Sequence, residues 1–153
     1  MINHKGITLI ELIVVMVIIA IGATLMVPSI GAWLPNYRLR SGARDVVSTL
    51  RFAQMKAVST NIPYGVVFDD ANSYQLYYQS TAGLIPEGSP INLPSGVQFN
   101  NNTFPVNGTL GKHFAQFNPN SMASAGSLTV ENPRKGTERR ITLSPSTGKV
   151  SIR

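Results

Sequence analysis

Hydrophobic side chains run along this chain in three different rhythms. From Ile7 to Val27 they are almost unbroken and rich in Ile and Val, with Glu11 as the one charged residue. From Val46 onward they recur at three- and four-residue spacing, as Val46, Leu50, Ala53 and Ala57, with Ala43, Val47 and Val58 beside them. Past Pro63 they alternate with polar residues in short stretches bounded by Gly, Pro, Asn and Asp. In turn, these rhythms predict a membrane-length apolar helix, an amphipathic helix with one apolar stripe, and a series of half-buried strands.

The first segment would reach about 32 Å as a helix at ~1.5 Å per residue, close to the ~30 Å of a bilayer core. Lys5, with His4 beside it, puts the positive flank before the run, which places everything after Pro28 across the membrane. A removed secretory signal is one alternative, with Ala20-Ile21-Gly22 as a small-residue cleavage site. The apolar run continues beyond that point, however, and a glutamate sits badly in a signal core. A plain one-pass anchor is the other alternative, and it leaves Glu11 without a purpose. A carboxylate in such a helix costs roughly 2.5–3.5 kcal/mol at the centre, so it needs a named partner.

The amphipathic segment has Asn36 or Ser41 as a cap, a bend at Pro35, and an end at Asn61-Ile62-Pro63. Trp33 and Tyr37 lie just outside the apolar run, where amphipathic rings suit an interface or a neighbouring subunit. Tyr64 to Asp69 and Ser73 to Gln79 read as a hairpin through Asp70-Ala71-Asn72. Val66 and Phe68 share one face of it, opposite Leu76 and Tyr78. Further strands are expected at residues 91–93, 97–100, 113–118, 127–131, 140–144 and 149–152. Residues 82–90 and 101–112 are expected as loops, and Pro145 to Gly148 as the turn of a closing hairpin.

Lys5-Gly6-Ile7-Thr8-Leu9-Ile10-Glu11-Leu12 resembles the processing signal of type IV pilins and type II secretion pseudopilins. Most of those proteins have Phe where this chain has Ile7. The resemblance implies cleavage between Gly6 and Ile7 by a prepilin peptidase, N-methylation at Ile7, and assembly with other pilins in a helical filament. It also gives Glu11 a partner, the new amine of a neighbouring subunit, and makes Pro28 a point where the helix bends or unwinds. Leu50-Arg51-Phe52-Ala53-Gln54-Met55-Lys56-Ala57 and the closing Ile141 to Val150 stretch are similar to GspH/FimT-type minor pilins. The chain has no cysteine, so it lacks the terminal disulfide loop usual in major pilins.

The implied fold is α+β and pilin-like, a long N-terminal helix packed on antiparallel β-sheets. The expected divisions are a cleaved leader (1–6), a transmembrane and assembly helix (7–28), an amphipathic helix (29–62) and a β-rich periplasmic domain (63–153). The expected location is the inner membrane, with one crossing, until assembly into a pilus or pseudopilus.

The net charge of +6 is uneven. Arg38, Arg40, Arg44, Arg51 and Lys56 face only Asp45 in their stretch. Arg134, Lys135, Arg139, Arg140, Lys149 and Arg153 face only Glu138. Some FimT-type pilins bind DNA through a basic C-terminal stretch, which makes these last six the candidates for contacts to double-stranded DNA. Here Ser151 stands where that pattern has a second arginine. The alternative is a solvated surface on a purely structural subunit.

Nothing suggests catalysis, a metal or a cofactor. His113 stands alone in a strand, and Asp69-Asp70 reads as a turn rather than a cation site.

Overall fold

The computed structural model describes residues 7–69 and 71–153, without the side chains of residues 25–30 and 32. Gly6 and Asp70 lie outside the described residues, as does the side chain of Pro28. Two compact units result, one ending at Leu34 and the other running from Pro35 to Arg153.

Helix α1, Leu9–Thr60, opens on a cap that the expectations above did not contain. The Glu11 N–H donates to Thr8 Oγ1 at 3.3 Å, and the Leu12 N–H donates to the Thr8 carbonyl at 3.2 Å. Thr8 and Glu11 thus stand at the N-cap and third helical positions, the spacing of a capping box. The helix takes in Pro28, Pro35, Asn36 and Ser41, so the cap expected at Asn36 or Ser41 is absent. Helical bonding continues around each proline, which by itself removes only one backbone donor. Asn61 closes the helix in the left-handed region at φ 56°, a conformation asparagine tolerates in a C-terminal cap.

Every buried apolar side chain among the described residues lies between Leu39 and Val150. Along α1, Leu39, Ala43, Val46, Leu50, Ala53 and Ala57 form the buried stripe. Val58, expected beside that stripe, is exposed instead, because it falls one position past the last core residue of the face.

Two four-stranded antiparallel sheets receive the helix. The first has the order β3-β2-β1-β5 and is built from β1 (Tyr64–Phe68), β2 (Ser73–Ser80), β3 (Gly83–Asn92) and β5 (His113–Phe117). The second has the order β4-β6-β7-β8, from β4 (Gln98–Asn100), β6 (Gly126–Asn132), β7 (Thr137–Leu143) and β8 (Val150–Ile152). The expected hairpin is present, with Val66 opposite Leu76, Tyr64 opposite Tyr78 and Phe68 opposite Tyr74. Phe68 of the first sheet meets Phe99 of the second edge-on at 5.3 Å and stacks on Phe104 at 5.7 Å. These three rings join the sheets by a contact with aromatic pair geometry.

Residues 82–90, expected as a loop, form most of β3. Pro86, Gly88 and Pro90 gave the loop signal, but β3 is an edge strand, where a missing backbone donor can face solvent. Gly88 at φ 77° lies by the register shift between Tyr74 and Leu76, and its carbonyl accepts from Gln75 Nε2 at 2.6 Å. The segment is a bulged strand.

The closing hairpin turns as expected between β7 and β8. Gly148 adopts φ 60°, and a Cβ there would meet Gln54 Nε2 and the Ser121 carbonyl at 2.5–2.6 Å. The turn therefore lies directly on α1, and only glycine meets both demands. Gly148→Ala should lower the stability of the folded body by about 2 kcal/mol. Denaturant melts of the full chain in neutral detergent measure this, and an unchanged midpoint would contradict the close approach.

Candidate functional site

Up to Ile21 the helix is apolar on every side and bare within its own unit. Ile7 is 78% exposed, Leu9 77%, Ile10 66% and Ile19 60%, and Glu11 is exposed among them. A helix apolar all round finds its minimum inside lipid or among other apolar helices. Among the described residues no helix is long and apolar enough to cross a membrane. The run read from the sequence continues through Leu25, Met26 and Val27, whose side chains fall outside the description. A full span therefore rests on the sequence.

Beyond Leu39 the two flanks of the buried stripe differ in charge. Arg40, Arg44, Val47 and Arg51 recur at three- and four-residue spacing, so they form one ridge. That ridge borders the second sheet, because Arg44 and Arg51 line a concavity with Val47 and Ile152 of β8. On the other flank the Tyr74 hydroxyl is held above its ordinary pKa, first by burial; Thr49 opposes this as a hydrogen-bond partner, and the charge of Asp45 adds to it. Asp45 and Thr49 thus face the first sheet.

The six basic residues considered for DNA do not come together. Arg139 and Arg153 line a concavity of about 260 Å³ with Arg40, Arg44 and Ile152. Arg134 and Lys135 line another of about 250 Å³ with Arg38, Pro35, Ser95, Gly96 and Asn132. Arg38 Nη1 donates there to the Ser95 carbonyl at 3.4 Å. Along β7, Ile141 and Leu143 are buried, and Arg139 shares their face while Arg140 takes the outer one. Lys149 is exposed at the hairpin turn. Arg40 and Arg44 were missed as site residues because only the fold of β7 and β8 brings them to Arg139.

Two other features are structural. Lys112 Nζ stands 2.6 Å from Asp69 Oδ1, so the acid read as a turn residue also holds a neighbouring strand end. His113 Nδ1 lies 2.6 Å from the Phe104 carbonyl, which fixes a ring in a packed strand.

Near the end of α1, Lys56 Nζ meets Glu87 Oε1 of β3 at 3.0 Å and approaches the Phe52 and Tyr64 rings. The Lys56 hydrogen bond holds the Glu87 carboxyl below its ordinary pKa against the opposing effect of burial. Burial first, and then Glu87 itself, push the Tyr64 hydroxyl up. A carboxyl with a lowered folded pKa stabilises above its unfolded pKa, and that contribution fades as pH falls through the folded value. Glu87→Gln should therefore cost below about 1 kcal/mol at neutral pH, since the pair is partly solvent-screened. The difference should vanish under strongly acidic conditions. Parallel urea melts across the acid range test this, and a gap that persists after Glu87 is protonated would refute it.

An α1 stripe laid on two antiparallel sheets is the pilin-like α+β fold. The model of the family described as Type II transport protein GspH matches residues 42–147, and the chain belongs to that family. A Prokaryotic N-terminal methylation motif matches residues 1–27.

Solved structures of similar fold include the following three. The minor pseudopilin EpsH from the Type 2 Secretion System of Vibrio cholerae is 13% identical, with a TM-score of 0.61 over 76% of this chain and 96% of its own. The Pseudomonas aeruginosa type IV minor pilin FimU is 11% identical, with a TM-score of 0.60 over 79% and 92%. E. coli GspH is 14% identical, with a TM-score of 0.62 over 77% and 89%. No curated protein matched the chain. The chain is therefore a member of the GspH family that carries an N-terminal methylation motif, with a fold shared by minor pilins and pseudopilins.

Proposed function

We propose that the chain is cut between Gly6 and Ile7 by a prepilin peptidase, N-methylated at Ile7, and held in the inner membrane by one crossing. Its β-rich body is periplasmic, and it joins an initiation or tip complex of a pilus or pseudopilus. The observation that carries this reading is the methylation motif running straight into a helix that is apolar on all sides, with Glu11 in its first turn. Four divisions follow: leader 1–6, assembly helix 7–28, amphipathic helix 29–62 and β-rich domain 63–153.

Glu11 acts as a register device. Cleavage leaves a cationic amine at Ile7, and only one axial stagger sets that amine beside Glu11 of a neighbouring subunit. In low dielectric, leaving either charge alone is costly, whereas the pair recovers much of the loss. Pro28, lacking a backbone donor, is where the helix gives way as subunits bundle. Duplex DNA capture is the second reading of the basic residues. The division of its six candidates between two concavities, an outer strand face and a turn supports assembly ahead of it.

Glu11→Ala should leave processing intact and reduce incorporation into filaments by tenfold or more, a loss of about 1.4 kcal/mol or above. Mass spectrometry of the membrane-borne protein reads the processing. Sheared-filament blots, or secretion assays, read the incorporation. A mature protein that retains residues 1–6, or a variant that assembles at the normal level, would end this reading.

A further inference from the structure

We propose that Arg40, Arg44, Arg139 and Arg153 form a receptor for a single phosphate group, carried either by an anionic lipid headgroup or by free phosphate. The four residues come from two helical turns of α1, from β7 and from the position just after β8, and they line one concavity of about 260 Å³. None of the four has an ion-pair partner among the described residues. The ion pairs among the described residues engage Lys56 with Glu87 and Lys112 with Asp69, and neither touches this cluster. The nearest acid along α1, Asp45, acts on Tyr74 beside the opposite flank.

Placing four guanidinium groups together, with no ion pair to them among the described residues, opposes folding by self-repulsion, and a bound multivalent oxyanion offsets that penalty. Guanidinium groups offer paired donors in a rigid fork that matches phosphate oxygens. The exposed Ile152 on the rim adds an apolar edge beside the charges. The concavity has room for a phosphate group. A duplex would instead need a long basic track; Arg51 extends the ridge by two helical turns beyond Arg44, while Arg134 and Lys135 lie at Arg38's concavity and Arg140 on the outer face of β7. The receptor stands apart from the assembly reading, and the fate of Glu11→Ala does not bear on it.

The test uses the full isotope-labelled chain in neutral-detergent micelles, followed by NMR as inorganic phosphate is added, with chloride at matched ionic strength as control. The expected result is a saturable shift confined to Arg40, Arg44, Arg139, Ile152 and Arg153. Arg44→Gln and Arg139→Gln should each weaken it about tenfold, while Arg140→Gln on the outer face stays within about twofold. Micelles doped with phosphatidylglycerol identify the source. A shift of the same residues assigns the site to a headgroup, and a response to inorganic phosphate alone assigns it to the soluble ion. A shift that chloride reproduces, or one that never saturates, overturns the proposal. So does a short DNA duplex that binds when phosphate does not and is weakened as much by Arg140→Gln as by Arg139→Gln.

Discussion

The body of this protein depends on how closely one helix face can approach two sheets at once. Ala43, Ala53 and Ala57 keep that face shallow, while Val46 and Leu50 fill the space between. Larger residues at the alanine positions would hold the backbone away from the sheets, and the strands would lose their common floor. The same closeness sets the demand at Gly148, where the last hairpin turn meets Gln54. With no cysteine in the chain, this contact and the Phe68, Phe99 and Phe104 cluster must hold the two sheets together by packing alone.

Much of this could be read from residue order, because it depends on local period. The stripe through Leu50, Ala53 and Ala57 and the register of Val66 with Leu76 follow from spacings of three to four and of two. What escaped was of two kinds. In residues 82–90, the turn chemistry of Pro86, Gly88 and Pro90 outweighed a weak strand pattern, and only the strand's place at a sheet edge makes those residues acceptable. The arginine concavity escaped because Arg40 and Arg139 are brought together by the packing of α1 against β7, which no local pattern encodes.

The division of basic residues changes what net charge means for this chain. As a linear count, Arg38 to Arg51 is one positive block. On the helix it splits, because Arg38 lies half a turn away from Arg40 and meets the Ser95 carbonyl instead. Arg134 and Lys135 go with Arg38, while Arg139 goes with Arg40. Each group is a short-range feature, and at physiological salt a separation beyond ~8 Å leaves little mutual reinforcement between exposed charges.

Glu11 stands at the position in the helix where a negative charge is least costly. As the third residue of α1 it faces the unsatisfied backbone donors of the first turn, and its own N–H is taken by Thr8. The partial positive charge at a helix start favours a nearby carboxylate by typically 0.3–1 kcal/mol. That is well below the cost of burying the charge in an apolar bundle. Capping therefore makes the residue tolerable within one subunit without accounting for it. In the proposed assembly, the uncompensated remainder is what the Ile7 amine of a neighbouring subunit would supply. On that proposal, an apolar residue in place of Glu11 would satisfy the lone helix better, and the glutamate would gain its advantage only in company.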